Sequence, residues 1–295
     1  MYKVDNYING KSCSISTQSS PIVNPSYGSE IGEVHYATSE TANLAVESAY
    51  EAAKSWSKTG LTHRAELILK FRQGVIDRSS EIIDICINEA GKTKPDAEAE
   101  LDRAVQALTH VAGVQHFYPT HFSQNVAGGI DIADLRFPIG VVAGVGPFNF
   151  PILIPILHSS MALVTGNTYI AKPSEKVPSI SRLYADIYED IGLPNGCFNV
   201  INGNKEIVEL LVRHEKVNGL AFIGSTAAAK SLKILGVEHN TKVQALGGGK
   251  NHMIVLPDAD LDMSADAAVS ASFGAAGQRC ICLLYTSDAA DDVHR

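Results

Sequence analysis

The pattern with the sharpest chemical content in this 295-residue chain is a cysteine directly behind an arginine, in GAAGQRC (274–280). A neighbouring cation and small residues around the thiol favour a thiolate that an electrophile can reach. A buried structural cysteine is the competing reading of Cys280. Asn149 stands among apolar residues in GPFNFP (146–151), where its amide either caps a helix or points at a developing oxyanion. Lys172 and Glu175, in KPSE (172–175), place a cation and a carboxylate in one short loop. They suit phosphate and ribose hydroxyls, or form an ordinary solvated pair. Ser225, in GST (224–226), is a helix N-cap in any fold, and a pyrophosphate at that helix start is the additional reading.

Regular elements must bring these residues together. Apolar runs fall at IGVVAGV (139–145), TYIAK (168–172), CFNVI (197–201), GLAFI (219–223) and KVQAL (242–246). Helical stretches beginning near Pro151, Ser179, Lys205 and Ser225 fill the gaps, which predicts right-handed βαβ units and a parallel sheet. The expected fold class is α/β, a doubly wound parallel sheet. Ligands in such sheets sit beyond the carboxyl ends of the strands, which puts GPFNFP, KPSE and GST on one crevice. Before this core, residues 1–36 read as short strands and turns. Residues 39–91 read as helical, and a further helix follows Pro95 through Leu101, Val105 and Leu108. GGIDIADLRFP (128–138) alternates like a two-faced strand, either an arm that pairs with another subunit or an edge hairpin.

Composition narrows the function classes. Hydrophobic residues make up 45% and charged ones 19%, enough for a buried core. The net charge of -8, with no strongly basic patch, argues against a nucleic-acid partner. Five cysteines without a CxxC pair, and an N-terminus lacking an apolar signal region, point to a reducing, cytoplasmic setting. Residues 139–157 hold one polar side chain, but Pro147, Pro151 and Pro155 make a buried strand, turn and core helix the expectation rather than a membrane span. The scattered histidines show no metal-ligand spacing, so no metal site is expected. Standard nucleotide motifs fail: Asn149 occupies the third glycine position of G-x-G-x-x-G, and Asn251 follows Gly249-Lys250 where a P-loop needs Ser or Thr.

Taken in order, GPFNFP, AKPSE, FIGST, LGGGK and GQRC resemble the successive signatures of the aldehyde dehydrogenase superfamily, from residue 1 to about 281. VQALGGGKNHMIVLPDADL (243–261) with FGAAGQRC (273–280) is most similar to its CoA-acylating methylmalonate-semialdehyde dehydrogenase branch. CLLYTSDAAD, at 282–291, resembles a translated sequencing adapter. The resemblance therefore implies a C-terminally truncated chain whose residues 282–295 are a non-native tail. Its implied divisions are 1–119 as the N-terminal part of the cofactor-binding domain and 120–138 as an oligomerisation arm. Residues 139–245 are then an NAD-binding core and 246–281 the start of an incomplete catalytic domain.

The same resemblance implies site roles. Cys280 is the nucleophile, and Asn149 holds the oxyanion. Lys172 and Glu175 bind the adenosine ribose of NAD, with Gly146, Phe148, Lys176, Ser225 and Gly247 lining the cofactor cleft. Arg103 and Arg279 bind the carboxylate of a semialdehyde substrate. Hydrolytic members open the E-L-G-G-K motif with a glutamate base, and here that position is Leu246 with Ala245 beside it. Without that base, transfer of the acyl group to CoA is the implied second half-reaction. A homo-tetramer is implied for the full-length protein, and inactivity for the fragment alone. A hydrolytic NAD(P)-dependent enzyme and an inactive nucleotide-binding fragment are the alternatives. Ala229 departs from the glycine that relatives often carry in the cofactor helix.

Overall fold

A computed structural model describes residues 1–117, 120–249 and 251–279. The chain opens with five short strands, β1 (Tyr2–Val4), β2 (Asn6–Ile8), β3 (Lys11–Cys13), β4 (Ser19–Asn24) and β5 (Ser29–His35). Five helices follow, α1 (Ser39–Trp56), α2 (Leu61–Asp77), α3 (Ser79–Ala90), α4 (Lys94–Ala112) and the single turn α5 (Val114–Phe117). A hairpin, β6 (Phe122–Ala127) and β7 (Ile130–Ala133), precedes the alternating half. That half runs β8 (Val141–Val145), α6 (Leu153–Val164), β9 (Thr168–Lys172), α7 (Ser179–Asp190), β10 (Phe198–Val200) and α8 (Lys205–Arg213). It ends with β11 (Val217–Ile223), α9 (Thr226–Glu238), β12 (Lys242–Leu246), α10 (Leu261–Phe273) and a 3-10 turn, Gly274–Gly277.

The central sheet has the order β12-β11-β8-β9-β10-β2-β3. Its first five strands are parallel, as the alternating pattern predicts. The sheet is nevertheless mixed, because β2 joins β10 antiparallel and brings β3 with it. This is a departure from an all-parallel sheet, and its cause is local. Asn6 on β2 accepts the Asn202 backbone N–H at 2.7 Å, so a short strand that buries Tyr7 and Ile8 is stitched onto the end of the core.

Helices cover both faces, which makes the sheet doubly wound. On one face α1, α8 and α9 bury Val46, Leu211 and Leu232 against Val141 and Leu220. On the other α2, α4, α6 and α7 bury Phe71, Leu108, Ile156 and Tyr184 against Tyr169 and Phe198. Gly144 on β8 is a packing requirement: a Cβ there would collide with the Tyr169 hydroxyl of the neighbouring strand. Removing this much apolar surface from water is the main driving force for the fold, at about 25 cal/mol per Å².

Two regions differ from this core. The β6–β7 hairpin forms a separate two-stranded ribbon, and every residue in it is exposed, including Phe122, Ile130 and Ile132. It is thus not an edge of the central sheet. Helix α10 likewise buries none of its residues, and Leu261, Met263, Val269 and Phe273 face outward. No helix among the described residues is long and apolar enough to cross a membrane, and residues 139–157 instead form β8, a turn and α6.

Candidate active site

The carboxyl ends of β8, β9, β11 and β12 define a cleft because short loops leave each strand there. The strand ends are laced together: Gly146 N–H donates to Lys172 O and Gly224 N–H donates to Leu246 O, each at 3.1 Å. A cleft of about 480 Å³ opens at this edge, and Gly146, Phe148, Asn149, Lys172, Glu175, Ser225 and Gly247 all line it. Seven of the residues singled out from the sequence therefore meet on one surface. A second cavity of about 500 Å³ continues from it past Lys172, Glu175 and Phe222 to the first turns of α8 and α9.

Each side chain has a physical reason for its place. Lys172, the last residue of β9, is buried, and its Nζ lies 3.5 Å from Glu175 Oε2. Burial pulls the Lys172 pKa down, and the adjacent Glu175 carboxylate opposes that shift. Ser225 caps α9, its Oγ accepting the Ala228 N–H at 3.3 Å, so the helix N-terminus faces the cleft. Gly247 lets the chain pass that helix closely, since a Cβ would fall 2.9 Å from Thr226 Oγ1. Thr226 Oγ1 in turn accepts the Gly248 N–H at 3.1 Å and pins the glycine run. Lys176 lies outside the lining and stacks its ammonium 4.6 Å from the Phe148 ring. Ala229 is buried one turn into α9, at a position that already excludes solvent.

These features fit a dinucleotide. A helix N-terminus with free N–H groups suits a pyrophosphate, and a lysine–carboxylate pair suits ribose hydroxyls.

Asn149 Nδ2 donates to the Gln278 carbonyl at 2.5 Å, which ties the GPFNFP turn to the segment leading to Cys280. Cys280 itself lies outside the described residues. A smaller cavity of about 280 Å³ opens on the far side of Asn149, between Thr93, Asp96, Phe273 and Gln278. Arg279 borders this region, its Nη2 2.6 Å from Asp96 Oδ1 on α4. Arg103 stands two turns further along α4, exposed and bonded to Gln106 at 3.1 Å. It lines none of these three cavities. Cys86 and Cys197 are poor nucleophiles, because burial pushes both thiols up to about 12.

Other residues of the site were not singled out from the sequence. Ser174, Phe222 and Gln278 sit inside the KPSE, FIGST and GQRC motifs without a role of their own there, and all three line the cleft. Lys92 and Glu100, a buried ion pair at 2.5 Å, sit directly behind the Asn149 turn. Glu100 had a signal in periodicity, since it falls on the buried stripe of Ala97, Leu101, Ala104 and Leu108. A carboxylate on that stripe needs a partner.

Residues 13–286 match the model of the aldehyde dehydrogenase family. The chain belongs to that family. This aldehyde dehydrogenase chain is 36% identical over 292 residues to a malonate-semialdehyde dehydrogenase of Bacillus pumilus, covering 98% of this chain and 60% of that protein. It is 38% identical over 277 residues to the malonate-semialdehyde dehydrogenase of Lacticaseibacillus casei, covering 94% and 56%. Among solved structures, a methylmalonate-semialdehyde dehydrogenase from Oceanimonas doudoroffii superposes with a TM-score of 0.93 at 35% identity, covering 96% of this chain and 58% of that one. A putative methylmalonate-semialdehyde dehydrogenase from Sinorhizobium meliloti, complexed with NAD, gives 0.92 at 37% identity over the same shares. The chain spans about 60% of the length of the first of these relatives. The architecture is the aldehyde dehydrogenase fold, with helices packed on mixed sheets.

Proposed function

We propose that the full-length protein carrying this sequence is an NAD-dependent, CoA-acylating dehydrogenase of malonate or methylmalonate semialdehyde. In this reading the chain contributes the cofactor cleft, the Asn149 turn and the Cys280 nucleophile. The observation that carries the second half-reaction is Leu246. It ends β12 immediately before the cleft-lining Gly247, where a water-activating glutamate would stand. Glu175, the carboxylate among the described lining residues, is already paired with Lys172.

The residues divide the chemistry as follows. The Cys280 thiolate adds to the aldehyde carbon, forming an S–C bond while the carbonyl π pair moves to oxygen. One Asn149 N–H holds the turn to Gln278, and the amide's second N–H is left for that oxyanion. A bound nicotinamide supplies the hydride acceptor, and a thioester remains on Cys280. The substrate carboxylate departs as carbon dioxide, its electron pair passing to the adjacent carbon, which takes up a proton. The CoA thiolate then attacks the thioester, the Cys280 S–C bond breaks, and the thiolate is regenerated.

Lys172 and Glu175 hold the adenosine ribose, and a carboxylate there favours NAD over the 2′-phosphate of NADP. Arg279, oriented by Asp96, receives the substrate carboxylate, whereas Arg103, exposed and bonded to Gln106 outside these cavities, is not assigned to it. The exposed apolar residues of the β6–β7 ribbon support its use as an arm in a homo-tetramer. Cysteines 13, 86 and 197 are free thiols, in keeping with a cytoplasmic location.

Steady-state assays with and without CoA test this reading. The expected result is NADH formation that depends on CoA and yields an acyl-CoA. NADH turnover to the free acid at the same rate without CoA contradicts it.

A further inference from the structure

The Lys92–Glu100 pair does something no cleft residue does: it reaches the catalytic turn from behind. Glu100 is buried on α4, and its Oε1 accepts the backbone N–H groups of Ile152 and Leu153, both at 2.9 Å. Those are two of the donors that the start of α6 leaves without intrahelical partners. Helix α6 has no side-chain cap of its own, since Ile152 stands at the N-cap position. Its cap is supplied instead from a residue about fifty positions earlier in the chain. The other carboxylate oxygen, Oε2, takes the Lys92 ammonium at 2.5 Å. That ammonium also sits 4.5 Å from the ring of Phe150, the residue after Asn149. Three contacts, to the Phe150 ring and to the backbone of residues 152 and 153, thus hold the segment that carries Asn149. One turn earlier on α4, Asp96 holds Arg279, on the opposite wall.

We propose that Glu100, oriented by Lys92, is a positioning residue that aims the Asn149 amide at the reacting oxygen. This rests on the reading of Asn149 as the oxyanion donor. The physical requirement is orientation. An oxyanion donor contributes only when aimed at the position the charged oxygen will occupy, so a small tilt of the turn is enough to lose its effect. A neutral amide at position 100 cannot satisfy both neighbours. Its oxygen is drawn to Lys92, and its NH2 group then faces the N–H groups of α6, donor against donor.

The test uses the full-length protein carrying this sequence. NADH formation, NAD affinity and alkylation of Cys280 by iodoacetamide are measured for Glu100→Gln, Asn149→Ala and the double variant. Alkylation needs the thiolate but no oxyanion donor, so it reports general damage separately. Glu100→Gln is expected to lower kcat about 10- to 100-fold, approaching the loss from removing one oxyanion donor. Alkylation and NAD affinity should stay within about threefold. In the Asn149→Ala background the same substitution should change kcat by less than about twofold, because coupled residues are not additive.

Unchanged kcat in Glu100→Gln, or losses that simply multiply in the double variant, overturns the positioning role. So does a parallel loss of alkylation and NAD binding. If Asn149→Ala itself leaves kcat unchanged, the oxyanion reading fails instead, which separates the two. Should Glu100→Gln not accumulate as folded protein, Glu100→Asp takes its place. It keeps the charge pair with Lys92, shortens the reach to α6, and carries the same expected outcomes.

Discussion

Two lysine–glutamate pairs flank the same candidate site, and they are built differently. Lys92 and Glu100 are both buried, with side-chain exposures of 5% and 2%. Lys172 is as buried, at 6%, but its partner Glu175 is 41% exposed. Glu100 has its oxygens taken by an ammonium and two backbone N–H groups, so the protein consumes its bonding capacity. Glu175 accepts one long contact from Lys172 and leaves the rest of its carboxylate to the cleft. Composition cannot distinguish these pairs. Burial of the carboxylate does, because a fully satisfied buried ion organises structure and a half-open one can meet a ligand.

This contrast is easiest to break by truncation. Glu100→Ala leaves the Lys92 charge buried without its partner, and about 3–5 kcal/mol of stability should be lost. Urea unfolding of the full-length protein checks it, and a loss below about 1 kcal/mol would put Glu100 in the same class as Glu175.

His158 offers the next largest effect, as a half-buried side chain whose Nδ1 is shut away from solvent with no hydrogen-bond partner among the described residues. Burial pulls its pKa down from 6.5 to about 4. The folded imidazole is neutral where the unfolded one takes a proton, so stability is full above pH 6.5 and falls as pH drops towards 4. That single group accounts for about 3 kcal/mol across the window. Denaturation midpoints of wild type and His158→Gln between pH 7 and 4 should diverge in slope, and parallel slopes would remove His158 as the cause.

Smaller effects belong to the open pair. Lys172→Met should weaken NAD binding by about 1.5–3 kcal/mol, the value of a charge-assisted hydrogen bond, with little change in stability. Equilibrium titration of NAD measures this directly, and an unchanged affinity would remove Lys172 from the ribose site. Glu175→Gln should cost less than about 1 kcal/mol of stability, as a half-exposed ion pair does. Its visible effect is on selectivity, with the preference for NAD over NADP narrowing in competition binding. A preserved preference would assign nucleotide selection elsewhere.

How much of this was legible in the sequence follows the same division. TYIAK coincides with β9 because a run between two helices that is buried throughout has few alternatives to a central strand, and KVQAL coincides with β12, the mostly exposed edge strand of the same sheet. Ser225 was legible as a cap, and GPFNFP, KPSE and GST converge as parallel βαβ order requires. The antiparallel attachment of β2 was not, since a strand of three residues is too short to carry a periodic signal. Nor was the bond from Glu100 to the start of α6, which joins elements about fifty residues apart through tertiary packing alone. Arg103 shows the converse: its motif matches, yet its side chain is exposed and bonded within its own helix.

The central claim is covalent catalysis at Cys280 with CoA as acyl acceptor, and a pre-steady-state experiment tests it most directly. Full-length enzyme is mixed with excess NAD and malonate semialdehyde, NADH is followed in time, and the Cys280 peptide is weighed by mass spectrometry. Without CoA, the account predicts a burst of about one NADH per active site and an acyl group on Cys280, discharged when CoA is added. NADH formation that continues without a burst, with Cys280 unmodified, would contradict it.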